Sequence, residues 1–188
     1  MAPRKAAFQH VHSALDGAEW EFDGLGAARL NVASSETARR VDHLWTASRT
    51  VEAASNGWCW YDICAAAEDR FAVSTGEEIV AMWSAKVRVL LDGACFYRVD
   101  RIEVAPDRQR QGYGFATFHL LATRAREVAS TGILLAALPE AAEFYERLGG
   151  VQHRPRGWHS APGLVPFLFD SSRLEEIASD ADRFRKHG

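Results

Sequence analysis

The feature that most constrains the fold is a change of hydrophobic period in the middle of the chain. From residue 79 to residue 91 every second residue is apolar, which predicts a long strand with one buried face. A turn at residues 92–93 then leads into a second strand at residues 94–104, so the two strands form a hairpin. After it the period becomes helical, and an apolar stripe runs from Phe115 to Val128 over about four turns.

The remaining patterns place strands and helices on both sides of this segment. Short strands are predicted at residues 28–33, 70–75, 133–138, 151–154 and 164–170. Helices are predicted from residue 36, around residues 61–69, from Pro139 to a glycine stop at residues 149–150, and at residues 171–188. This order is typical of an α/β (α+β) fold, in which helices cover both faces of a mixed, mostly antiparallel sheet of six to seven strands.

Length and composition are those of one globular domain. The chain has 188 residues, of which 47% are hydrophobic and 25% charged, so a packed core without disulfides or metal is expected. We divide the domain into an N-terminal extension at about residues 1–27, a core at residues 28–170 and a C-terminal helix at residues 171–188. The extension and the last helix are free to pack on this chain or on a neighbour, which leaves a homodimer open.

Charge and hydropathy argue against several classes of function. No apolar run approaches the roughly 20 residues that span a bilayer, and the first residues contain no secretory signal, so a cytoplasmic protein without membrane contact is expected. A net charge of −3 argues against nucleic-acid binding, which needs a basic surface. Neither the three cysteines nor the pair His10 and His12 has complete metal-ligand spacing, so no metal is expected.

One segment has the character of an anion-binding loop. A strand ends at Val104, and Gln109, Gly112 and Gly114 then open the long helix. Glycines let the backbone approach a ligand closely, and the first amides of a helix have no intrahelical acceptor, so a pyrophosphate is the natural ligand. A plain glycine turn is the alternative. A dinucleotide-binding fingerprint is disfavoured, because Thr117 stands where its third glycine would be.

The same segment resembles the acetyl-CoA-binding motif of the GNAT superfamily of N-acetyltransferases. The match is carried by Val104, Gln109, Gly112 and Gly114 at the family's spacing. A second match lies downstream, where residues 139–149 resemble the family's helix with its Tyr-x-x-x-Gly ending. The order of strands and helices is also similar to that of the family. The resemblance implies the GNAT fold, in which the central sheet splays after its fourth strand.

The resemblance also implies which residues bind acetyl-CoA, the expected cosubstrate. The backbone of Ile102, Glu103 and Val104 would pair with the pantetheine arm in the splay between two strands. The pyrophosphate would contact the loop and first helical turn, formed by Gln109, Arg110, Gln111, Gly112, Tyr113, Gly114 and Phe115. The sequence departs from the family at Leu138, where members often carry an asparagine that helps to bind pantetheine.

By the same resemblance, Tyr145 would act as the general acid. An amine would attack the thioester carbonyl directly, and Tyr145 would protonate the departing thiolate. The alternative is a tyrosine packed in the core, because Ala141, Phe144 and Leu148 share its helix face.

Glu103 is the candidate general base, although a solvated or salt-bridged carboxylate is equally consistent with the sequence. If Ile102 and Val104 face the core, strict alternation along the strand directs Glu103 to the other face together with Arg101 and Val99. The same alternation would put Asp100 on the face opposite to Glu103. No strong base is required if the amine loses its proton through water.

Aromatic residues are the candidates for binding the acceptor amine. In the family, the segments that here contain Trp58, Trp60 and Trp158 wall the acceptor pocket, with core packing as the alternative for each tryptophan. They suggest a flat or cationic amine, for which Asp62 and Asp100 could add negative charge.

Three functions are consistent with these patterns. The first is an acetyl-CoA-dependent N-acetyltransferase acting on the primary amine of a small molecule or peptide. The second is a non-catalytic module that binds or senses acyl-CoA, for which Leu138 leaves room. The third is a toxin that acetylates aminoacyl-tRNA, which the net charge disfavours.

Overall fold

The computed structural model describes residues 13–22, 24–46, 59–90, 93–154, 158 and 161–179. Within them the strands are β1 (Glu19–Phe22), β2 (Gly26–Val32), β3 (Asp69–Thr75), β4 (Glu78–Val89), β5 (Cys95–Val104), β6 (Gly132–Ala137), β7 (Val151–Gln152) and β8 (Val165–Asp170). The helices are α1 (Ser35–Thr46), α2 (Trp60–Ala66), α3 (Tyr113–Glu127), α4 (Ala142–Arg147) and α5 (Ser171–Ser179). Short 3₁₀ turns at Pro106–Arg108 and Pro139–Ala141 precede α3 and α4.

The strands form one sheet in the order β1-β2-β3-β4-β5-β6-β8-β7. Neighbouring strands are antiparallel except for β5 and β6, which are parallel. The predicted mixed, mostly antiparallel sheet is therefore confirmed, but eight strands are present rather than six or seven. The additional strand is β1, which pairs with β2 and brings part of the N-terminal extension into the sheet.

Each face of the sheet has its own apolar core. On one face α3, α4 and α5 bury side chains such as Phe118 and Ile177, and we call this the α3 core. On the other face α1 and α2 bury Val41 and Trp60, and we call this the α1 core. Residues 80–85 of β4 are buried on both faces. The single buried face predicted for this strand is therefore wrong, because α1 and α2 cover the second face.

A buried ion pair ties α3 to the sheet. The guanidinium of Arg124 donates to both carboxylate oxygens of Asp69 on β3, at 2.7 and 3.0 Å, and both side chains are less than one-tenth exposed. The Tyr97 hydroxyl on β5 donates to the same carboxylate at 2.9 Å. Glu127 accepts from Arg124 at 2.5 Å. Such a network fixes the position of the helix, because removing one partner leaves a buried charge uncompensated.

The C-terminal helix begins at Ser171, and the Asp170 carboxylate accepts from the Arg173 amide at 2.9 Å. Residues 180–188 of the predicted helix lie outside the described residues. Among the described helices, none is long and apolar enough to cross a membrane. The same part of the chain holds no cluster of three side chains that could ligate a metal ion.

Candidate active site

The parallel strands β5 and β6 separate part-way along their length. Their last paired residues are Arg98 and Leu134, after which β5 continues to Val104 and β6 to Ala137. The gap forms a cleft of about 290 Å³. It is lined by Arg98, Val99, Asp100, Arg101, Ile102, Leu135, Ala136, Ala137, Leu138, Ala141, Tyr145, Trp158, Ala161 and Leu164. The splay that the resemblance implied is therefore present, and the strand counted as the fourth from the sequence is β5 here because β1 is additional.

A β-bulge in β5 lies at the point of separation. Arg101 is opposite Ser84 and Val99 is opposite Ala85, which leaves Asp100 as an extra residue in β5. A bulge bends its strand and increases the local twist. The bulge therefore accounts for the divergence of β5 from β6 immediately after their last pair.

The bulge also changes which side chains share a face. Val99 and Ile102 both contact the α3 core. The carboxylate of Asp100 pairs with Lys86, whose side chain projects from β4 on the face opposite to the α3 core. Glu103 contacts Trp60 of α2 on that same face. The expectation from strict alternation, which put Val99 beside Glu103 and Asp100 opposite to it, is wrong because it allowed for no extra residue.

Tyr145 on α4 lines the cleft and is only 6% exposed. Its ring packs against Phe118, Phe144 and Phe167, with ring centroids 5.1 to 6.0 Å apart. Its carbonyl accepts from the Gly150 amide at 2.9 Å, which fixes the end of the helix. Its hydroxyl has no hydrogen-bond partner among the described residues. Burial raises the pKa of Tyr145 above its usual value, so the phenol keeps its proton.

The loop before α3 presents a row of backbone amides. Within the described residues, no amide from Gln109 to Gly114 donates a hydrogen bond. Arg110 and Gly112 have φ angles of 62° and 97°, in the left-handed region that turns successive amides toward one side. The Gln109 side chain braces the loop by donating to the Val104 carbonyl at 3.3 Å. The loop is exposed and suits an anionic ligand.

Aromatic contacts join this loop to the cleft. The Phe115 and Phe144 rings are 5.1 Å apart, and Phe144 precedes Tyr145 on α4. A Cβ atom added to Gly114 would lie 3.3 Å from the Phe144 ring, which is tighter than ordinary contact. A glycine at this position therefore lets the first turn of α3 approach the helix that carries Tyr145.

Glu103 lies beside the cleft but does not line it. The Trp60 indole N–H donates to its carboxylate at 2.7 Å. Trp60 is held in turn by Asp42 on α1, whose carboxylate accepts from the backbone amides of Trp60 and Tyr61 at 2.7 and 2.9 Å. This chain of contacts fixes the direction of the Glu103 side chain.

The three predicted acceptor-binding tryptophans differ in position. Trp158 lines the cleft and is 7% exposed. Trp60 is fully buried in the α1 core and does not line the cleft, and its indole N–H donates to Glu103. Trp58 lies outside the described residues. Leu138, at the position where the family often has asparagine, lines the cleft and is half exposed.

Sequence reasoning considered Arg101 only as part of a possible basic face and did not single out Arg98 and Lys86. Arg98 and Arg101 line the cleft, and Lys86 contacts Asp100 from the neighbouring strand. Two arginines within four residues of a predicted strand were the available signal, but their face depends on the bulge at Asp100.

The following solved structures have similar folds and are distant in sequence. A GNAT-family acetyltransferase from Listeria monocytogenes has a TM-score of 0.61 at 11% identity, with 81% of this chain and 99% of that chain covered. The GNAT domain of PAT from S. lividans has a TM-score of 0.59 at 18% identity, with 85% and 99% covered. N-acetylglutamate synthase from Neisseria gonorrhoeae, solved with coenzyme A and L-arginine, has a TM-score of 0.57 at 11% identity, with 76% and 33% covered. A search of curated protein sequences finds no significant match.

The family model gives the decisive comparison. Residues 37–150 match the model of the acetyltransferase (GNAT) family. The match spans more than half of the chain and contains the bulged strand β5, the amide-rich loop and Tyr145. The chain belongs to the GNAT family of acetyltransferases.

Proposed function

We propose that the protein is an N-acetyltransferase that transfers an acetyl group from acetyl-CoA to the primary amine of a small molecule or peptide. The observation that carries this proposal is the position of Tyr145, a buried and protonated phenol, at the wall of the cleft where β5 and β6 separate. A proton donor at this point is what thiolate departure requires.

The chain's own residues fit the expected cosubstrate. The amides from Gln109 to Gly114 donate no hydrogen bond within the described structure, and residues 109–112 are exposed, so this loop suits the charge of a pyrophosphate. Within the described part of the chain, the edge of β5 that faces β6 has no strand partner after Arg98, so an extended pantetheine arm could bond there as an added strand. The apolar side chains of Ile102 and Leu135 in the cleft suit its methylene groups.

The roles of the two candidate catalytic residues follow from their surroundings. Acetyl-CoA supplies a thioester whose acyl group is transferred. Tyr145 donates its phenolic proton to the leaving sulfur, because burial keeps that proton in place at neutral pH. Glu103, held by the Trp60 indole N–H, receives the proton of the attacking amine through water, since its carboxylate is beside the cleft rather than in it.

The test is calorimetric titration with acetyl-CoA of the wild type and two glycine variants. Gly112→Trp puts a large side chain into the amide-rich loop at a φ angle of 97°. Gly93→Trp is the matched control, because Gly93 has a φ angle of 82° and open space around it in the turn between β4 and β5. We expect binding by the wild type and the control, and loss of binding in Gly112→Trp.

Two results would contradict the proposal: a folded wild type that does not bind acetyl-CoA, or a Gly112→Trp variant that binds as tightly as the control. After binding is established, release of free thiol in the presence of an amine panel measures transfer. Binding without transfer to any amine would favour the acyl-CoA sensor.

A further inference from the structure

The charged residues of the cleft bear on the chemistry of the acceptor. We propose that the acceptor carries an anionic group, a carboxylate or a phosphate, close to its reacting amine. This proposal rests on the proposed function. The residues concerned are Arg98 and Arg101 in the cleft wall, together with Asp100 and its partner Lys86.

Asp100 does not present a free negative charge to the cleft. Its carboxylate lies 2.9 Å from Lys86 Nζ and 3.3 Å from Arg98 Nε. One carboxylate is thus shared by two cations. Lys86, Arg98 and Asp100 together therefore carry a net positive charge, although the whole chain carries a net charge of −3.

A cationic acceptor fits this wall poorly. Asp62, the other carboxylate that the sequence offered for such a substrate, is exposed and does not line the cleft. The side chains of Arg98 and Asp100 are 35% and 23% exposed, so their charges are only partly screened by water. A polyamine would meet repulsion here, whereas a carboxylate or phosphate matches the forked donors of an arginine.

Trp158 adds a neutral hydrogen-bond donor to the same cleft. Its indole N–H is buried, and no acceptor for it exists among the described residues. An N–H group without an acceptor favours a ligand that supplies one. The rest of the lining, including Val99, Leu135 and Leu164, is apolar, so the acceptor combines an anionic group with an apolar body.

The experiment compares matched acceptors that differ only in the anionic group. The acetyl-transfer assay is run with leucine and phenylalanine against their carboxamides, with phosphoethanolamine against ethanolamine, and with spermidine. We expect kcat/KM for the anionic member of at least one pair to exceed that of its neutral counterpart at least 10-fold. The pair that shows this difference tells whether the anion is a carboxylate or a phosphate.

Three variants link the preference to the wall. Arg98→Gln should reduce the preference at least 10-fold by raising KM for the anionic acceptor only. Arg88→Gln is the matched control, because Arg88 lies on β4 in an exposed ion pair with Glu68, and it should leave the preference unchanged. Asp100→Asn should not raise KM for the anionic acceptor, since it removes a negative charge from the wall.

Failure of this inference can be told apart from failure of the proposed function. If acetyl-CoA binds and the neutral acceptors or spermidine react as well as the anionic ones, the inference is overturned and the transferase remains. The inference is also overturned if acetyl-CoA binds but no anionic acceptor reacts, or if Asp100→Asn selectively raises KM for spermidine. Absence of acetyl-CoA binding to the folded wild type overturns both.

Discussion

Replacing Tyr145 by phenylalanine removes one oxygen and retains the ring, so it separates proton donation from packing. The contacts of the ring with Phe118, Phe144 and Phe167 are kept. The lost hydroxyl has no hydrogen-bond partner among the described residues, so no buried donor or acceptor in that part of the chain is left unpaired. We therefore expect the free energy of unfolding to change by less than about 1 kcal/mol. The affinity for acetyl-CoA should also be preserved.

The effect on the chemical step should be large. Loss of a general acid lowers the rate by about 10²- to 10⁴-fold, so kcat of Tyr145→Phe should fall in that range. This corresponds to about 2.7–5.5 kcal/mol in activation free energy. Because burial raises the pKa of Tyr145 above the usual value near 10, the proton-donating form persists through neutral and mildly alkaline pH. Titration of Tyr145 should therefore produce no fall in the wild-type rate below about pH 10.

The assay is release of free thiol from acetyl-CoA with a reactive amine, followed across pH for wild type and variant. Calorimetric affinity for acetyl-CoA and the midpoint of thermal unfolding serve as controls. A variant with unchanged kcat, affinity and unfolding midpoint would show that Tyr145 is only a packing residue. A fall in the wild-type rate that begins below about pH 9 and is absent from the variant would show that burial does not raise the pKa of Tyr145.

Three further substitutions and one labelling experiment test other parts of the structure. Asp69→Asn removes the buried carboxylate of the pair with Arg124, leaves the guanidinium with the partly exposed Glu127, and should lower the free energy of unfolding by about 3–5 kcal/mol. Arg29→Gln breaks an exposed pair with Glu19 and should lower the free energy of unfolding by less than about 1 kcal/mol. Denaturant titrations measure both variants, and equal losses of stability would contradict the expectation that the buried pair contributes more. Cys64 is fully buried, and burial raises its pKa to about 12, so it should resist iodoacetamide in the folded protein and react after unfolding, as peptide mass spectrometry can show. Glu103→Gln keeps an oxygen that accepts the hydrogen bond from the Trp60 indole N–H, so the unfolding midpoint should be unchanged. It removes the proposed proton acceptor, so kcat should fall at least about 10²-fold. An unchanged pH–rate profile would show that Glu103 is not the base.

Elements defined by local periodicity could be predicted from the sequence. The apolar stripe that starts at Phe115 predicted α3. The turn signal at residues 92–93 predicted a hairpin, and the two strands β4 and β5 do pair. The glycines at positions 112 and 114 indicated the loop because their role is local: one adopts a positive φ angle and the other allows a close approach. The burial of β4 on both faces was also readable, since residues 79–85 are apolar at all but one position.

Features that depend on a partner distant in the chain could not be predicted. The bulge at Asp100 exists only relative to the register with β4, and alternation within β5 alone gives the wrong faces. The contact between Trp60 and Glu103 joins residues 43 positions apart, and a tryptophan suits a core and a pocket equally well. The sharing of Asp100 by Lys86 and Arg98 likewise needs both strands, so the charge of the cleft wall was misjudged from one strand.

The bulge connects fold and function, because it bends β5 at the last pair with β6. Deleting Asp100 would remove the extra residue, restore plain alternation, and keep Ile102 and Val104 in the α3 core with Glu103 on the other face. The strand should then stay closer to β6 and narrow the cleft. We expect a folded protein whose affinity for acetyl-CoA falls at least about 10-fold, or about 1.4 kcal/mol.

Asp100→Ala is the control for this deletion, because it removes the same carboxylate and keeps the extra residue. If the bulge shapes the cleft, Asp100→Ala binds acetyl-CoA like the wild type, whereas the deletion does not. Circular dichroism and thermal unfolding establish that both variants are folded before calorimetry compares them. Equal affinities in the two variants would mean that the separation of β5 from β6 is set elsewhere, by the packing of α3 and α4 against the sheet.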